Sequence, residues 1–126
     1  MKVRSFFQPK VVFVHPWDTL RQAASLMQEG GFSCLPVLLE EDLVGIITER
    51  DLAQAIAHGE DMTARTVFDC MSEKPITLSP DDDAAEAATQ MLSAGCRHLP
   101  VVEDGKLVGI VSARDLLIFV ATPERV

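Results

Sequence analysis

The stretch Gly109-Ile110-Val111-Ser112-Ala113-Arg114-Asp115 decides the fold, because Gly45-Ile46-Ile47-Thr48-Glu49-Arg50-Asp51 repeats its form 64 residues earlier. Each copy begins with β-branched apolar residues, a strand in character. Each then reaches Thr or Ser, followed three residues later by Asp. That ending is a helix-start pattern: the hydroxyl accepts from a free backbone N–H and the acid sits in the first turn. Each copy therefore predicts a strand-to-helix junction with a hydroxyl, free backbone donors and a carboxylate at one edge. Helix starts of this kind attract anionic groups. They also simply cap helices, and spacing alone leaves both readings open.

The two junctions lie in a longer repeat. A shift of 64 residues lays residues 3–56 on 67–120 without a gap, with 18 identities in 54 aligned positions. Leu35-Pro36-Val37 falls on Leu99-Pro100-Val101, Ala23-Ala24 on Ala87-Ala88, and Gly31 on Gly95. Two copies of this period are too few and too long for a solenoid. The expectation is one module over 1–126: repeat one at 3–58, a short polar linker at 59–66, and repeat two at 67–121. The two units should pack about a pseudo-twofold axis and share a core.

Within each unit the order reads β-α-β-β-α, an α+β fold. Extended segments come first, Lys10 to Val14 and Lys74 to Leu78, ending at Pro16 and Pro80. A helix follows each, with capping boxes at Thr19/Gln22 and Asp83/Glu86. Leu20, Ala23, Ala24 and Met27, and Ala84, Ala87, Ala88 and Met91, give the spacing of an amphipathic helix. Gly30-Gly31 and Gly95 end these helices. Two strands then follow, Cys34 to Leu39 with Leu43 to Thr48, and His98 to Glu103 with Leu107 to Ser112. Asp104-Gly105 is a hairpin turn signal, and Glu40-Glu41-Asp42 a weaker one. The closing helices span about 49–58 and 113–121. The second of these, Leu116-Leu117-Ile118-Phe119-Val120, is apolar on every side, which predicts burial all round. It points to a homodimer with this helix in the interface.

Eleven basic against nineteen acidic residues give a formal charge of −8. That balance argues against nucleic acid and against anionic lipid. No apolar run reaches membrane-spanning length, and Met1 to Phe7 lacks the apolar core of a signal peptide, so a cytoplasmic protein is expected. Cys34, Cys70 and Cys96 form no CxxC pair and match no zinc-site spacing; reduced, packed thiols are the simpler reading. No nucleophile–base set, metal cluster or P-loop is present, so no catalytic residue, no metal ligand and no required cofactor is assigned.

These residues resemble a family. The two Gly-to-Asp junctions, the two Leu-Pro-Val strands and Arg97-His98-Leu99-Pro100-Val101-Val102 look like a pair of CBS domains, the tandem called a Bateman module. The resemblance covers about Val3 to Val120. It implies a regulatory module, not an enzyme, binding AMP, ADP, ATP or S-adenosylmethionine between the repeats and signalling to an effector protein. It implies that Asp51 and Asp115 hold ribose hydroxyls, that Thr48 and Ser112 meet ribose or phosphate, and that Arg97 and His98 reach phosphate. Arg50 and Arg114 lie inside the junctions and join the candidate set, with surface ion pairing as their simpler role. The alternative is a dimerisation or interaction module that binds no nucleotide.

The counterparts of Arg97 and His98 are Ser33 and Cys34, which carry no charge. This asymmetry makes the second junction, Ser112 to Asp115, the better equipped for phosphate. A charge of −8 disfavours ATP without magnesium relative to AMP or S-adenosylmethionine. Trp17, beside the cap Thr19, fits a base-stacking or partner contact as well as a staple against its own helix.

Overall fold

The computed structural model describes the backbone of residues 1–121 and the side chains of residues 1–118. The first half holds α1 (Leu20–Gly30), β1 (Cys34–Leu39), β2 (Asp42–Thr48) and α2 (Glu49–Ala57). The second half holds α3 (Val67–Cys70), α4 (Ala84–Ala94), β3 (His98–Glu103), β4 (Lys106–Ser112) and α5 (Ala113–Ala121). A 3-10 turn at Val3–Ser5 opens the chain as the counterpart of α3.

Local chemistry accounts for the helix ends. Thr19 Oγ1 accepts from Gln22 N at 3.1 Å and Gln22 Oε1 accepts from Thr19 N at 2.7 Å, a complete capping box. Gly31 and Gly95 stop α1 and α4 in the left-handed region, at φ 68° and 66°. The expected box at Asp83/Glu86 does not form: Asp83 stands at the N-cap without a side-chain cap bond. Its carboxylate is drawn instead to Lys2 Nζ, 3.4 Å away.

The sheet runs β1-β2-β4-β3, every neighbour antiparallel. Two hairpins meet tip to tip through a single pair, Asp42 with Lys106. Val44 and Val108 are left unpaired as matching bulges between Val37/Leu38 and Val101/Val102. The expected first strands are a correction. Lys10 to Val14 and Lys74 to Leu78 touch the sheet only at Val14 and Leu78, as single parallel bridges to Val37 and Val101. Val14 N donates to the Pro36 carbonyl at 3.0 Å and Leu38 N to Val14 O at 2.9 Å. The next rung needs an N–H from Pro36, which has none. Pro100 stops the second segment in the same way.

The repeats are interlocked through their leading segments. Val3 N donates to Asp82 O and Val67 N to Asp18 O, both at 2.8 Å. Gln8 exchanges two backbone hydrogen bonds with Ile110 (2.8 and 2.9 Å), and Ser72 exchanges two with Ile46 (2.9 and 3.0 Å). Each leader thus lies on the other repeat. Two cores result. One gathers Leu20, Leu35, Val37, Ile47 and Leu52 around Val67; the other gathers Leu78, Leu99, Val101, Val111 and Leu116 around Val3.

Within the chain, α5 buries one side: Leu116 is buried, whereas Leu117 is 67% and Ile118 57% exposed; the side chains of Phe119 and Val120 lie outside the described residues. Among the described residues no helix is long and apolar enough to cross a membrane.

Candidate functional site: two clefts between junctions and leaders

Both junctions fold as the sequence expects. Thr48 Oγ1 accepts from Asp51 N at 3.1 Å, and Asp51 Oδ2 accepts from Thr48 N at 2.9 Å. Ser112 Oγ and Asp115 repeat the exchange at 3.0 and 3.1 Å. Oδ2 of each Asp is thereby occupied, and a carboxylate has a second oxygen, Oδ1, able to accept.

The glycines of the junctions have a specific task. A Cβ on Gly45 would come within 2.8 Å of Ser72 O and 2.7 Å of Met71 Sδ. On Gly109 it would come within 2.5 Å of Gln8 O and would overlap the Phe7 ring. Only glycine lets the crossing leader approach the strand this closely.

That close approach creates a cleft beside each Asp. The first, of about 280 Å³, is lined by Asp51, Gln54, Ala55 and His58 of α2 and by Glu60, Arg65, Asp69 and Cys70. The second, of about 360 Å³, lies between Asp115 and Ile118 of α5 and Met1, Phe6 and Gln8. Asp51/Asp115, Gln54/Ile118 and Cys70/Phe6 are each 64 positions apart, so the clefts are equivalent by the repeat. Sequence reasoning missed the leader walls. The signal was present in the alignment of Val3 with Val67, but nothing in it said which repeat each leader joins.

The remaining candidates separate. Thr48, Arg50 and Arg97 line a smaller cleft of about 90 Å³ together with Cys96. Arg97 Nη2 donates to Glu49 Oε1 at 2.8 Å, so its side chain belongs to the first junction; only its backbone carbonyl serves the second, accepting from Ala113 N at 2.7 Å. Arg50 reaches across to Gly95 at the end of α4. The His98 backbone pairs with Ser112 in the β3–β4 ladder, but its imidazole turns to the first repeat, with Nδ1 3.4 Å from both Ser33 N and Ser33 Oγ. Its imidazole is held below the ordinary value by burial, and secondarily by Arg97, with Asp115 and Glu49 opposing. Arg114 is exposed.

The two large clefts differ in charge. The first holds Arg65 among the carboxylates of Asp51, Glu60 and Asp69; the buried Nε of Arg65 lies 3.1 Å from Glu60 Oε2 without forming a hydrogen bond. Asp115 is the charged side chain of the second. Trp17 lies apart from both: 61% exposed, it stacks on His15 with ring centroids 4.7 Å apart.

Comparison with known proteins decides the family, since the CBS domain family matches residues 3–58 and 66–122. The chain belongs to the CBS domain family. It is 38% identical over 116 residues to inosine-5'-monophosphate dehydrogenase of Korarchaeum cryptofilum, spanning 91% of this chain but only 23% of that enzyme. It is 31% identical over 126 residues to the uncharacterized protein YlbB of Bacillus subtilis, spanning 98% of this chain and 85% of YlbB. Among solved structures, a putative signal-transduction protein with CBS domains from Burkholderia ambifaria superposes with TM-score 0.83 at 31% identity, covering 94% of this chain and 88% of that one. The CBS pair of MJ0100, solved with methylthioadenosine and S-adenosylmethionine, gives 0.82 at 27% identity and 95% coverage of both chains. CBSX2, solved with AMP, gives 0.78 at 27% identity, covering 94% of this chain and 95% of CBSX2. Relatives of this fold thus bind adenosine compounds.

Proposed function

We propose that this CBS pair is a regulatory module that binds an adenosine compound in the two junction–leader clefts and passes its state to a partner protein. The observation that carries this reading is the pair of repeat-equivalent clefts, each with an Asp at its rim. A ribose placed there meets the free carboxylate oxygen of Asp51 or Asp115, which accepts from hydroxyl groups. Volumes of about 280 and 360 Å³ fall just below and just inside the lower bound of the ~300–1,000 Å³ usual for ligand pockets. They suit a nucleoside or mononucleotide better than ATP, and the charge of −8 favours the same choice.

Charge narrows the choice of ligand in both clefts. Arg65 is the cation of the first, but the carboxylates of Asp51, Glu60 and Asp69 outnumber it, and the second has Asp115 as its charged side chain. Both therefore suit an uncharged or cationic adenosine compound, such as methylthioadenosine or S-adenosylmethionine, better than a multiply charged phosphate. A ligand in either cleft touches the junction of one repeat and the leader of the other. It therefore responds to how the repeats sit together, which is what coupling to a partner requires.

Calorimetric titration of AMP, ATP, S-adenosylmethionine and methylthioadenosine tests this. Asp51→Asn and Asp115→Asn keep the oxygen that caps the helix while removing the charge. Asp51→Asn and Asp115→Asn should each weaken the bound adenosine compound at least tenfold at its own cleft. Silence of the wild type across the panel sinks the ligand reading. It leaves an interaction module, for which the exposed apolar residues Leu92, Leu117 and Ile118 speak.

A further inference from the structure

Two of the three cysteines meet across the boundary between the repeats. Cys34 opens β1 in repeat one; Cys96 precedes β3 in repeat two. Both are buried and belong to the same core. The two segments run against each other: Arg97 N donates to Ser33 Oγ at 2.8 Å, and Cys34 Sγ lies 2.8 Å from the His98 carbonyl oxygen. The repeat supplies an independent check on this juxtaposition. A shift of 64 turns Cys34 into His98 and Phe32 into Cys96, so the twofold mate of the Cys34/Cys96 pair is His98/Phe32. Those two rings do touch, at a centroid distance of 5.2 Å.

The thiols are chemically unequal. The neighbouring Cys34 thiol holds Cys96 below the ordinary range, against burial and Asp51 and with help from Arg50. The same pairing, with burial, pushes Cys34 up. The Cys34 S–H is directed to the His98 carbonyl, so Cys34 keeps its proton and Cys96 is the more acidic of the two. Cys96 also lines the small cleft of about 90 Å³ beside Thr48 and Arg97, room for a molecule the size of hydrogen peroxide. Cys70 lies elsewhere, in the wall of the first large cleft, with its thiol raised by burial.

We propose that Cys34 and Cys96 are an oxidation site that closes to a disulfide between the repeats when the protein meets a peroxide. The Cys96 thiolate attacks one peroxide oxygen. The O–O bond breaks, hydroxide leaves, and Cys96 becomes a sulfenic acid. Cys34 then gives up its proton and attacks the Cys96 sulfur, the S–O bond breaks, and the departing hydroxide takes that proton to leave as water. Two thiols lose two electrons and two protons, and the peroxide is reduced to two waters. The bond ties the start of β1 to the turn before β3, beside Thr48 and Arg97, and so fixes the two repeats against each other.

The test uses the full chain treated with equimolar hydrogen peroxide at neutral pH, then alkylated and mapped without reduction. The wild type should lose the mass of two hydrogens, keep Cys70 as its alkylatable thiol, and yield a Cys34–Cys96 linked peptide that dithiothreitol separates. Cys34→Ala should stop at the sulfenic acid, which dimedone traps on Cys96, and Cys96→Ala should leave Cys34 unmodified. The proposal is overturned if Cys70 reacts first, if Cys96 links two chains, if wild-type Cys96 proceeds to the sulfinic acid, or if all three cysteines remain alkylatable. Mapping of the wild type decides the matter even if a variant fails to fold.

Discussion

Val3 and Val67 occupy each other's repeat. Val67 is fully buried in the core built by Leu20, Leu35 and Ile47, and Val3 in that built by Leu78, Leu99 and Val111. The repeat that supplies each valine is not the repeat it stabilises, so local damage to a leader should be felt at a distance. Val67→Ala removes two buried methyl groups and leaves a small void, a cost of about 1.5–3 kcal/mol. Hydrogen exchange should show β1 and α1 losing protection first in Val67→Ala, and β3 and α4 first in Val3→Ala. Loss confined to the mutated repeat's own strands contradicts the crossing.

The junction glycines should tolerate no side chain. Gly45→Ala and Gly109→Ala each force a methyl group into the crossing leader, against Ser72 O and Gln8 O. Overpacking of this kind costs about 1–3 kcal/mol. The Gly109 variant should be the worse, since its contacts are the closer and include backbone and a ring. Urea denaturation of the two variants checks the order. Because the clefts depend on these approaches, ligand binding should weaken along with stability.

The turn at Glu40 carries removable strain. Glu40 has φ 57°, in the left-handed region, whereas the second hairpin places Asp104 at 53° and Gly105 at 79° in a sequence suited to that turn. Glu40→Gly should gain up to about 1 kcal/mol, measured as a rise in the thermal midpoint. A fall in the midpoint would show that the glutamate makes a compensating contact.

His98 should contribute to acid sensitivity. Its folded-state value lies below the ordinary 6.5, mainly through burial and then through Arg97. The unfolded chain therefore binds the proton more readily, and stability rises with pH across that interval. The contribution is intact above about pH 6.5 and is lost as pH falls from there through the folded value. His98→Asn should lose less stability than the wild type between pH 7 and pH 5, read by denaturant titration at each pH.

The outer face of α4 and α5 is expected to hold a second copy of the chain. Leu92 is 85% exposed, and with Leu117 it lines an apolar groove of about 490 Å³ between the two helices. Leu117→Glu should shift the sedimentation of a dimer toward monomer without lowering the helical signal. An unchanged mass would remove this face from the interface.

The sequence by itself determined the elements that depend on neighbours along the chain. The Thr48/Asp51 and Ser112/Asp115 caps, the stops at Gly31 and Gly95, the two hairpins and the twofold repeat all follow from short spacings. So does the family, through the doubled Gly-to-Asp junction. The tertiary structure decided what depends on partners far along the chain. Pro36 and Pro100 reduce the expected first strands to single bridges, because a missing N–H matters only once the pairing direction is known. Lys2 takes Asp83 away from its helix cap, and Glu49 draws Arg97 to the first junction. Above all, each leader crosses to the other repeat. Two copies with the same pattern present two equivalent surfaces, and only packing in three dimensions chooses between a leader folding back on its own unit and crossing to its twin. The junction pattern that the sequence repeats thereby becomes, in the fold, two equivalent clefts with different linings.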